Sequence, residues 1–476
     1  MSTARSLDGA PAPTRRDRGR PRVLVGTVVF LALVVAVIGS LGAPLITAVA
    51  VQYRVSLAAA QWTLTIALLA GAVATPVLGR LGTGPRRRTV VLVTLAVVVV
   101  GSALTVLPLP FAGLLAGRAA QGAGLGLTAL MMATARDHLA PARSASTIAL
   151  LSVASTAGIG LGYPLAGLLT DLAGVRAAYG LGLVITAAAL VAAAVVLPAA
   201  PDRAPSRVDL RGAVLLTVAL LVLLIVISQT DLWRHHSVIA AGGLAAAALL
   251  LAGWARLEAR TPAPLVDVGL LRHPAVAAAN LVMLTGGIGM YLLLSLITRY
   301  VQTPATAGYG FGLTTFQAGL VLVPFSVLGF VAGKLVPPLR RRLTARQLLA
   351  VSTVLVLAAF VLFALTRTPL AAPVIAMSIL GTGVGAFSAA MPAVILAATP
   401  PAETASAMGV NQVVRSVGFS IGSALGGLIL AGYTTTEVAP DRVGYTAAAI
   451  VGIATTLATL LILALAARSD ETTEDR

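Results

Sequence analysis

Two arginines stand inside long apolar runs of the sequence. Arg118 lies within the run 111–135 and Arg415 within 405–432. A guanidinium inside a membrane is costly unless it is paired or hydrated, so such a residue is functional by default. Asn411 precedes Arg415 by one helical turn and shares its face. A structural alternative stays open for Arg118, which could tie helices together by donating to backbone carbonyls.

The acidic residues are distributed differently. All 16 of them fall in tails, loops or the ends of apolar runs. Asp137, Asp171 and Asp231 come closest to the membrane. Two buried cations without a buried anion repel a cationic ligand. The sequence therefore favours a neutral or anionic ligand over a cationic one.

A catalytic or metal site is not indicated. The chain has no cysteine, and its four histidines fall in or beside polar segments. An enzyme would need a cluster of histidine, carboxylate or nucleophile. The sequence predicts no enzyme activity, no metal and no cofactor, with a membrane-embedded transferase as a remote alternative.

Apolar runs dominate the chain, which has 476 residues, of which 58% are hydrophobic and 10% charged. About 20 apolar residues in a helix cross a ~30 Å hydrocarbon core. The sequence predicts an all-α integral membrane protein with fourteen transmembrane helices. These predicted spans are 23–46, 62–82, 89–108, 111–135, 146–170, 177–197, 212–230, 237–256, 275–300, 317–338, 346–366, 371–398, 405–432 and 443–467.

The basic residues set an orientation. If the N-terminus is cytoplasmic, most of the 33 Arg and Lys residues fall in cytoplasmic segments. Cytoplasmic loops retain cations in this way. We therefore predict a multi-pass protein of the cell (inner or plasma) membrane with both termini in the cytoplasm. The net charge of +17 marks a face beside anionic membrane lipid, not a nucleic-acid site.

One basic motif occurs twice. The chain reads GRLGTGPRRR from Gly79 and GKLVPPLRRR from Gly333. The copies follow spans 2 and 10. They occupy equivalent places in two similar six-helix halves if spans 7 and 8 are an inserted pair, and parallel repeats of this kind build one large transporter fold.

Several motifs together resemble the major facilitator superfamily, in particular its fourteen-helix drug:proton antiporter branch. The repeated basic motif is similar to the family's loop after helix 2, although Thr83 replaces the acidic residue of its gate latch. LLAGRAAQGAGLG from Leu114 resembles the helix 4 motif. GIGLGYPLAG from Gly158 resembles the exporter motif of helix 5, and GVNQVVRSVGFSIGSALGG from Gly409 resembles helix 13.

The resemblance implies a division of the chain. It consists of a cytoplasmic tail, an N-terminal six-helix half, a link with the inserted helix pair, a C-terminal six-helix half and an acidic tail. Their expected limits are 1–22, 23–199, 200–273, 274–468 and 469–476.

The resemblance also implies a substrate cavity near the midplane, lined by spans 1, 4, 9 and 12. Six of the eight methionines fall in spans 4, 9 and 12, and methionine suits surfaces that accept several partners. We expect a methionine-lined pocket with polar anchors; filling of core gaps is the alternative. The expected cavity residues are Arg118, Gln121, Thr128, Met132, Asn280, Met283, Met290, Tyr291, Met377, Ser388, Met391, Asn411 and Arg415.

Other roles follow from the same resemblance. The expected gating-loop residues are Gly79, Arg80, Arg87, Arg88, Gly333, Lys334 and Arg341. Gly158, Gly162, Pro164 and Gly167 belong to the exporter motif, and spacing by four also suits helix packing alone. Candidates for proton coupling are Asp171, Asp231 or a proton carried by the substrate.

The expected activity is secondary active export of small lipophilic compounds, such as drugs or antibiotics, by proton antiport with alternating access. The expected partners are a small-molecule substrate, the proton and membrane lipid, and a monomer is expected. Import or facilitated passage of an anionic metabolite is the alternative.

Overall fold

The computed structural model of the protein describes residues 15–55, 57–82, 85–199, 209–262, 264, 268–269, 273–433 and 440–474. These residues form helices joined by short connections, and no strand occurs among them.

The first group of helices covers the N-terminal part of the chain. Its members are α1 (Arg15–Ser40), α2 (Gly42–Tyr53), α3 (Leu57–Leu81), α4 (Arg87–Val106), α5 (Phe111–Gly122), α6 (Leu127–His138) and α7 (Pro141–Val196). A short 3₁₀ turn, Ala123–Gly126, joins α5 to α6. Helix α7 is interrupted at Gly174, whose φ of 80° is a conformation that glycine adopts without steric cost.

The remaining helices include two that begin with the same capping motif. Their bounds are α8 (Leu210–Ser228), α9 (Thr230–His235), α10 (Ser237–Glu258), α11 (Pro274–Gln302), α12 (Thr315–Leu339), α13 (Ala345–Leu365), α14 (Ala371–Ala397), α15 (Thr404–Gly432) and α16 (Arg442–Glu474). Thr314 and Gln317 form a capping box at the start of α12. Thr344 and Gln347 do the same for α13, so both starts satisfy backbone N–H groups locally.

The described residues contain eleven helices long and apolar enough to cross a membrane. The protein is therefore a multi-pass membrane protein. The difference from fourteen predicted spans has local causes. The 3₁₀ turn divides span 4, and span 7 corresponds to a shorter apolar helix, Arg211–Ile227. Spans 5 and 6 lie on the two sides of the kink at Gly174 in α7, where the backbone leaves the helical conformation, so they are counted together as one stretch.

The helices pack as two groups, α1–α7 and α11–α16, that meet along α7 and α12. Glycines make this contact close: Gly160 lies against Ser326, and a Cβ on Gly319 would come within 3.0 Å of Pro164. Small residues allow such approach in lipid. Helices α8 and α10 pair with each other, and α8 packs against α3 and α15.

Candidate functional site

A cavity of about 470 Å³ lies between the two groups of helices. It is bounded mainly by α1 and α3 on one side and by α11 and α15 on the other. It extends from the level of Thr75 and Gln412 to the level of Trp62 and Gly427, which are near the opposite ends of α3 and α15. Apolar cavities of this size with a few polar groups accommodate small molecules.

Helix α15 supplies a polar face to this cavity. Gln412, Ser416, Ser420, Ser423 and Gly427 all line it. Their spacing of four, four, three and four residues is that of one helix face. We did not predict this face, although the spacing was visible in the sequence as a polar stripe in an apolar run.

Arg415 lies in the same cavity near the middle of α15. Its guanidinium carbon is 5.8 Å from the centroid of the Phe419 ring. The Phe419 ring in turn stacks on Tyr291 of α11, with centroids 5.2 Å apart. Among the described residues that line the cavity, the charged side chains are Arg299 and Arg415, both cationic.

The cavity ends where α3 and α15 converge. Gly409 packs against Thr75 there, and Arg80 forms an ion pair with Glu403 at 3.4 Å. Arg136 of α6 donates to the Thr404 hydroxyl at 2.6 Å and to the Thr399 carbonyl at 3.1 Å. These bonds join the two groups of helices at the end of the bundle that carries the repeated basic motif.

Arg118 is fully buried away from the cavity. It donates to the Thr63 carbonyl of α3 at 2.9 Å and to the Ile38 carbonyl of α1 at 3.1 Å. It also donates to Gln121 at 2.7 Å, and Gln121 donates to Ser102 of α4 at 3.0 Å. The structure thus favours the structural alternative for Arg118, that of a tie between helices.

Comparison with known proteins identifies the family. Residues 28–423 match the family model of the Major Facilitator Superfamily, and residues 304–475 match it again. The chain belongs to the major facilitator superfamily. Relatives of the chain are named as efflux pumps or resistance proteins and not as enzymes.

The chain is also similar to two proteins whose names refer to multidrug efflux or multidrug resistance. The multidrug efflux pump LfrA of Mycolicibacterium smegmatis is 26% identical over 97% of this chain and 91% of its own length. The multidrug resistance protein Stp of Mycobacterium tuberculosis is 26% identical over 74% of this chain, and the match covers 65% of Stp. The crystal structure of the human organic anion transporter MFSD10 superposes with a TM-score of 0.66, covering 93% of this chain and 99% of that one at 17% identity, which shows the same fold.

The methionines of the expected pocket do not line this cavity. Met132, Met283, Met290, Met377 and Met391 are buried in the hydrophobic core and line no part of the cavity. Their burial is the arrangement that the gap-filling alternative describes, and the methionine-lined pocket stays a prediction. Of the expected cavity residues, Thr128, Tyr291 and Arg415 line it.

The misplaced faces have a packing cause. Gly381, on the same face of α14 as Met377, lies directly against the backbone of Phe325 in α12. That face of α14, which includes the buried Ser388, packs against a neighbouring helix and does not line the cavity. Gly287 similarly places its face of α11 against α15.

The two asparagines pair with each other. Asn411 of α15 donates to the Asn280 side chain of α11 at 3.1 Å, and Asn411 is buried. This bond holds α15 against α11 one turn before Arg415. Separating the two helices there would leave buried amides without partners, which is costly in an apolar interior.

The exporter-motif residues are packing residues in this structure. Gly158 and Gly162 lie against α1, where the Ser40 hydroxyl donates to the Gly158 carbonyl at 3.1 Å. Pro164 and Gly167 contact α12. Pro164 and Gly167 therefore lie where the two groups of helices meet, whereas Gly158 and Gly162 pack within the first group.

The two copies of the superfamily's loop motif differ in their partners. Gly79 is buried and Arg88 donates to the Ala194 carbonyl at 2.7 Å. Arg87 is buried, pairs with Asp137 at 2.6 Å and donates to the Gly82 carbonyl at 2.9 Å. Its pairing with Asp137 anchors the first loop to the end of α6.

In the second copy, Gly333 packs on Val153 of α7, whereas Lys334 and Arg341 are exposed. Lys334 lies 4.7 Å from the Phe330 ring centroid. The position equivalent to Arg87 is Arg341, so the two copies offer a matched comparison of a buried and an exposed arginine.

Arg87→Gln is expected to lower the melting temperature of the purified protein clearly, whereas Arg341→Gln leaves it unchanged. Breaking one partner of a buried ion pair costs about 3–5 kcal/mol because the other charge stays buried. Thermal melting followed by size-exclusion chromatography measures the difference. Equal melting temperatures for the two variants would contradict the anchoring role of Arg87.

The proton-coupling candidates are not brought into the cavity. Asp171 is exposed on α7 and does not line it. The side chain of Asp231 lies outside the part of the chain that the structure describes. Within that part, no group of three or more His, Cys, Asp or Glu residues could hold a metal ion.

Proposed function

We propose that the protein exports small lipophilic compounds, of the kind used as drugs and antibiotics, by proton antiport with alternating access. The observation that carries this proposal is the cavity between the two groups of helices, closed at one end by bonds between them. A carrier that alternates between faces needs a central site and a closable gate at each end. The name of LfrA, a multidrug efflux pump, supports the exporting direction.

The closed end supports a gate at the loop motif. The family's acidic latch residue is replaced by Thr83, which lies outside the described residues. Here the acid comes from the other group of helices, as Glu403, and the cation from Arg80 of the motif. Arg136 also donates a hydrogen bond to Thr404. Together these contacts form a latch whose acidic residue lies outside the loop motif and not within it. The latch opens when the cavity becomes accessible from this end.

The proposal includes the full topology. Fourteen transmembrane helices, in two six-helix halves with an inserted pair, put both termini in the cytoplasm of a plasma membrane. The helix contacts that separate α1–α7 from α11–α16 support this division, and the positive-inside rule supports the orientation. The functional unit is a monomer in contact with membrane lipid.

The proposal also covers charge. Arg299 and Arg415 are the cationic side chains among the described lining residues, so neutral or anionic substrates are favoured over cations. In antiport a group on the protein has to carry the proton inward, and Asp171 and Asp231 remain the candidate residues for this step. A proton carried by the substrate itself would leave with the substrate, which is coupling in the opposite direction.

Everted membrane vesicles with an imposed pH gradient test this function. We expect accumulation of neutral or anionic lipophilic fluorophores that collapses when the gradient is dissipated, and little accumulation of matched cations. Accumulation only in right-side-out vesicles would favour import of an anion, the alternative function. Transport of cations alone would contradict the charge preference.

A further inference from the structure

We propose that the cavity recognises flat aromatic monoanions, with the carboxylate bound by Arg415 and the ring held against the Tyr291–Phe419 stack. This inference rests on the proposed function, since it names the substrate class of the same cavity. It narrows a general preference for neutral or anionic compounds to one class and assigns the choice to one residue.

The position of Arg415 suits an anchoring role. It is the twelfth residue of α15, Thr404–Gly432, which puts it roughly 16 Å from the start of that helix at 1.5 Å per residue. It is thus near the midplane and lines the cavity. A guanidinium presents donors in a planar fork that matches both oxygens of a carboxylate, and a water-poor site strengthens that pairing.

An aromatic surface adjoins this charge. Phe419 follows Arg415 by one turn on the same face, and Tyr291 stacks on it from α11 at an interplanar angle of 28°. All three residues line the cavity. Offset stacking favours a further flat ring on such a pair, so the ring and the charge of one ligand can be met together.

The serine side chains are occupied differently. Ser416 donates to the Gln412 carbonyl at 3.0 Å, and Ser420 donates to the Ser416 carbonyl at 2.9 Å. Their hydroxyl protons are used within α15, so they discriminate little between charged and uncharged ligands. Discrimination by charge therefore falls to the arginines, with Arg299 near the end of α11 as a second cation of the lining.

Titration calorimetry on the full chain in lipid nanodiscs tests this site, with empty nanodiscs as the blank. The probes share one ring system: 2-naphthoate, 2-naphthamide and 2-naphthylmethylammonium. We expect the wild type to bind naphthoate at least ~10-fold more tightly than the amide, and the ammonium compound most weakly. In Arg415→Gln the preference for naphthoate over the amide is expected to fall below ~2-fold, with amide binding retained.

Two further variants separate charge from stacking. Arg415→Lys is expected to keep part of the preference for naphthoate over naphthamide. Phe419→Leu is expected to weaken the binding of both probes by the same factor. An undiminished preference in Arg415→Gln would overturn the proposal. If Arg415→Gln loses amide binding as well, the binding of the ammonium probe to the wild type becomes the decisive measurement. Ammonium bound as tightly as naphthoate would overturn the proposal. Exclusion of the ammonium probe, together with a retained preference for naphthoate in Arg415→Lys, would support it.

The same probes in everted vesicles distinguish this inference from the proposed function. Gradient-driven uptake of the amide without any preference for naphthoate, in binding or in uptake, would overturn the inference alone. Preferential binding of naphthoate without gradient-driven uptake of either probe would overturn export and leave the aromatic-anion site standing.

Discussion

Arg118→Ala is expected to unfold or strongly destabilise the protein, lowering the free energy of unfolding by about 4.5 kcal/mol or more, which is three hydrogen bonds from a charged group at about 1.5 kcal/mol each. The side chain joins α1, α3 and α5 through Ile38, Thr63 and Gln121, and each buried hydrogen bond from a charged group contributes about 1.5–3 kcal/mol. Removal leaves buried acceptors unpaired and a cavity the size of a guanidinium. Melting of the purified protein measures the loss.

Two controls accompany this prediction. Arg118→Lys keeps the charge without the planar fork, so it is expected to recover only part of the stability. Arg176→Ala, at an exposed position of α7, is expected to change nothing. A stable Arg118→Ala variant that fails only in transport would contradict the structural role and restore the functional interpretation of this arginine.

Arg136→Ala is expected to shift the transporter towards the state that is open at the end of the loop motif. Arg136 bonds Thr404 and the Thr399 carbonyl across the two groups of helices, and the net loss of about 2 kcal/mol corresponds to roughly a 30-fold shift in the equilibrium. The chain has no cysteine, so a single cysteine at the buried Ser406 reports opening. Its labelling by an impermeant maleimide in everted vesicles should accelerate accordingly.

Arg143→Ala serves as the matched control, because Arg143 is exposed near the same end of the bundle. Labelling of the cysteine at position 406 is expected to stay slow in that variant. Fast labelling already in the unmodified background, or no acceleration in Arg136→Ala, would show that these bonds do not close the gate.

Apolar patterning predicted the helices well because burial in lipid requires long hydrophobic runs. Each predicted span overlaps helical residues of the structure. The pattern did not reveal the 3₁₀ turn at Ala123–Gly126 within span 4, since glycines in an apolar run disturb helix geometry without changing hydropathy.

The candidate site was less accessible to sequence reasoning. Helix periodicity groups Met377 with Gly381, but it does not say whether that face meets a cavity or another helix. The contact of Gly381 with Phe325 is decided by how α12 and α14 pack. Arg415 could be singled out because a charge in an apolar run is costly. The polar face of α15 with Ser416, Ser420 and Ser423 could also have been recognised from the spacing of its residues.

The passage of substrate through the cavity between the two groups of helices can be tested directly. Ser420 lines it on α15, and a single cysteine there can be labelled in intact cells with an impermeant maleimide before everted vesicles are prepared. We predict that labelling reduces gradient-driven uptake of the neutral probe to the level of vesicles without the protein. Complete labelling with unchanged uptake would contradict the account, because the compounds would then cross by another route.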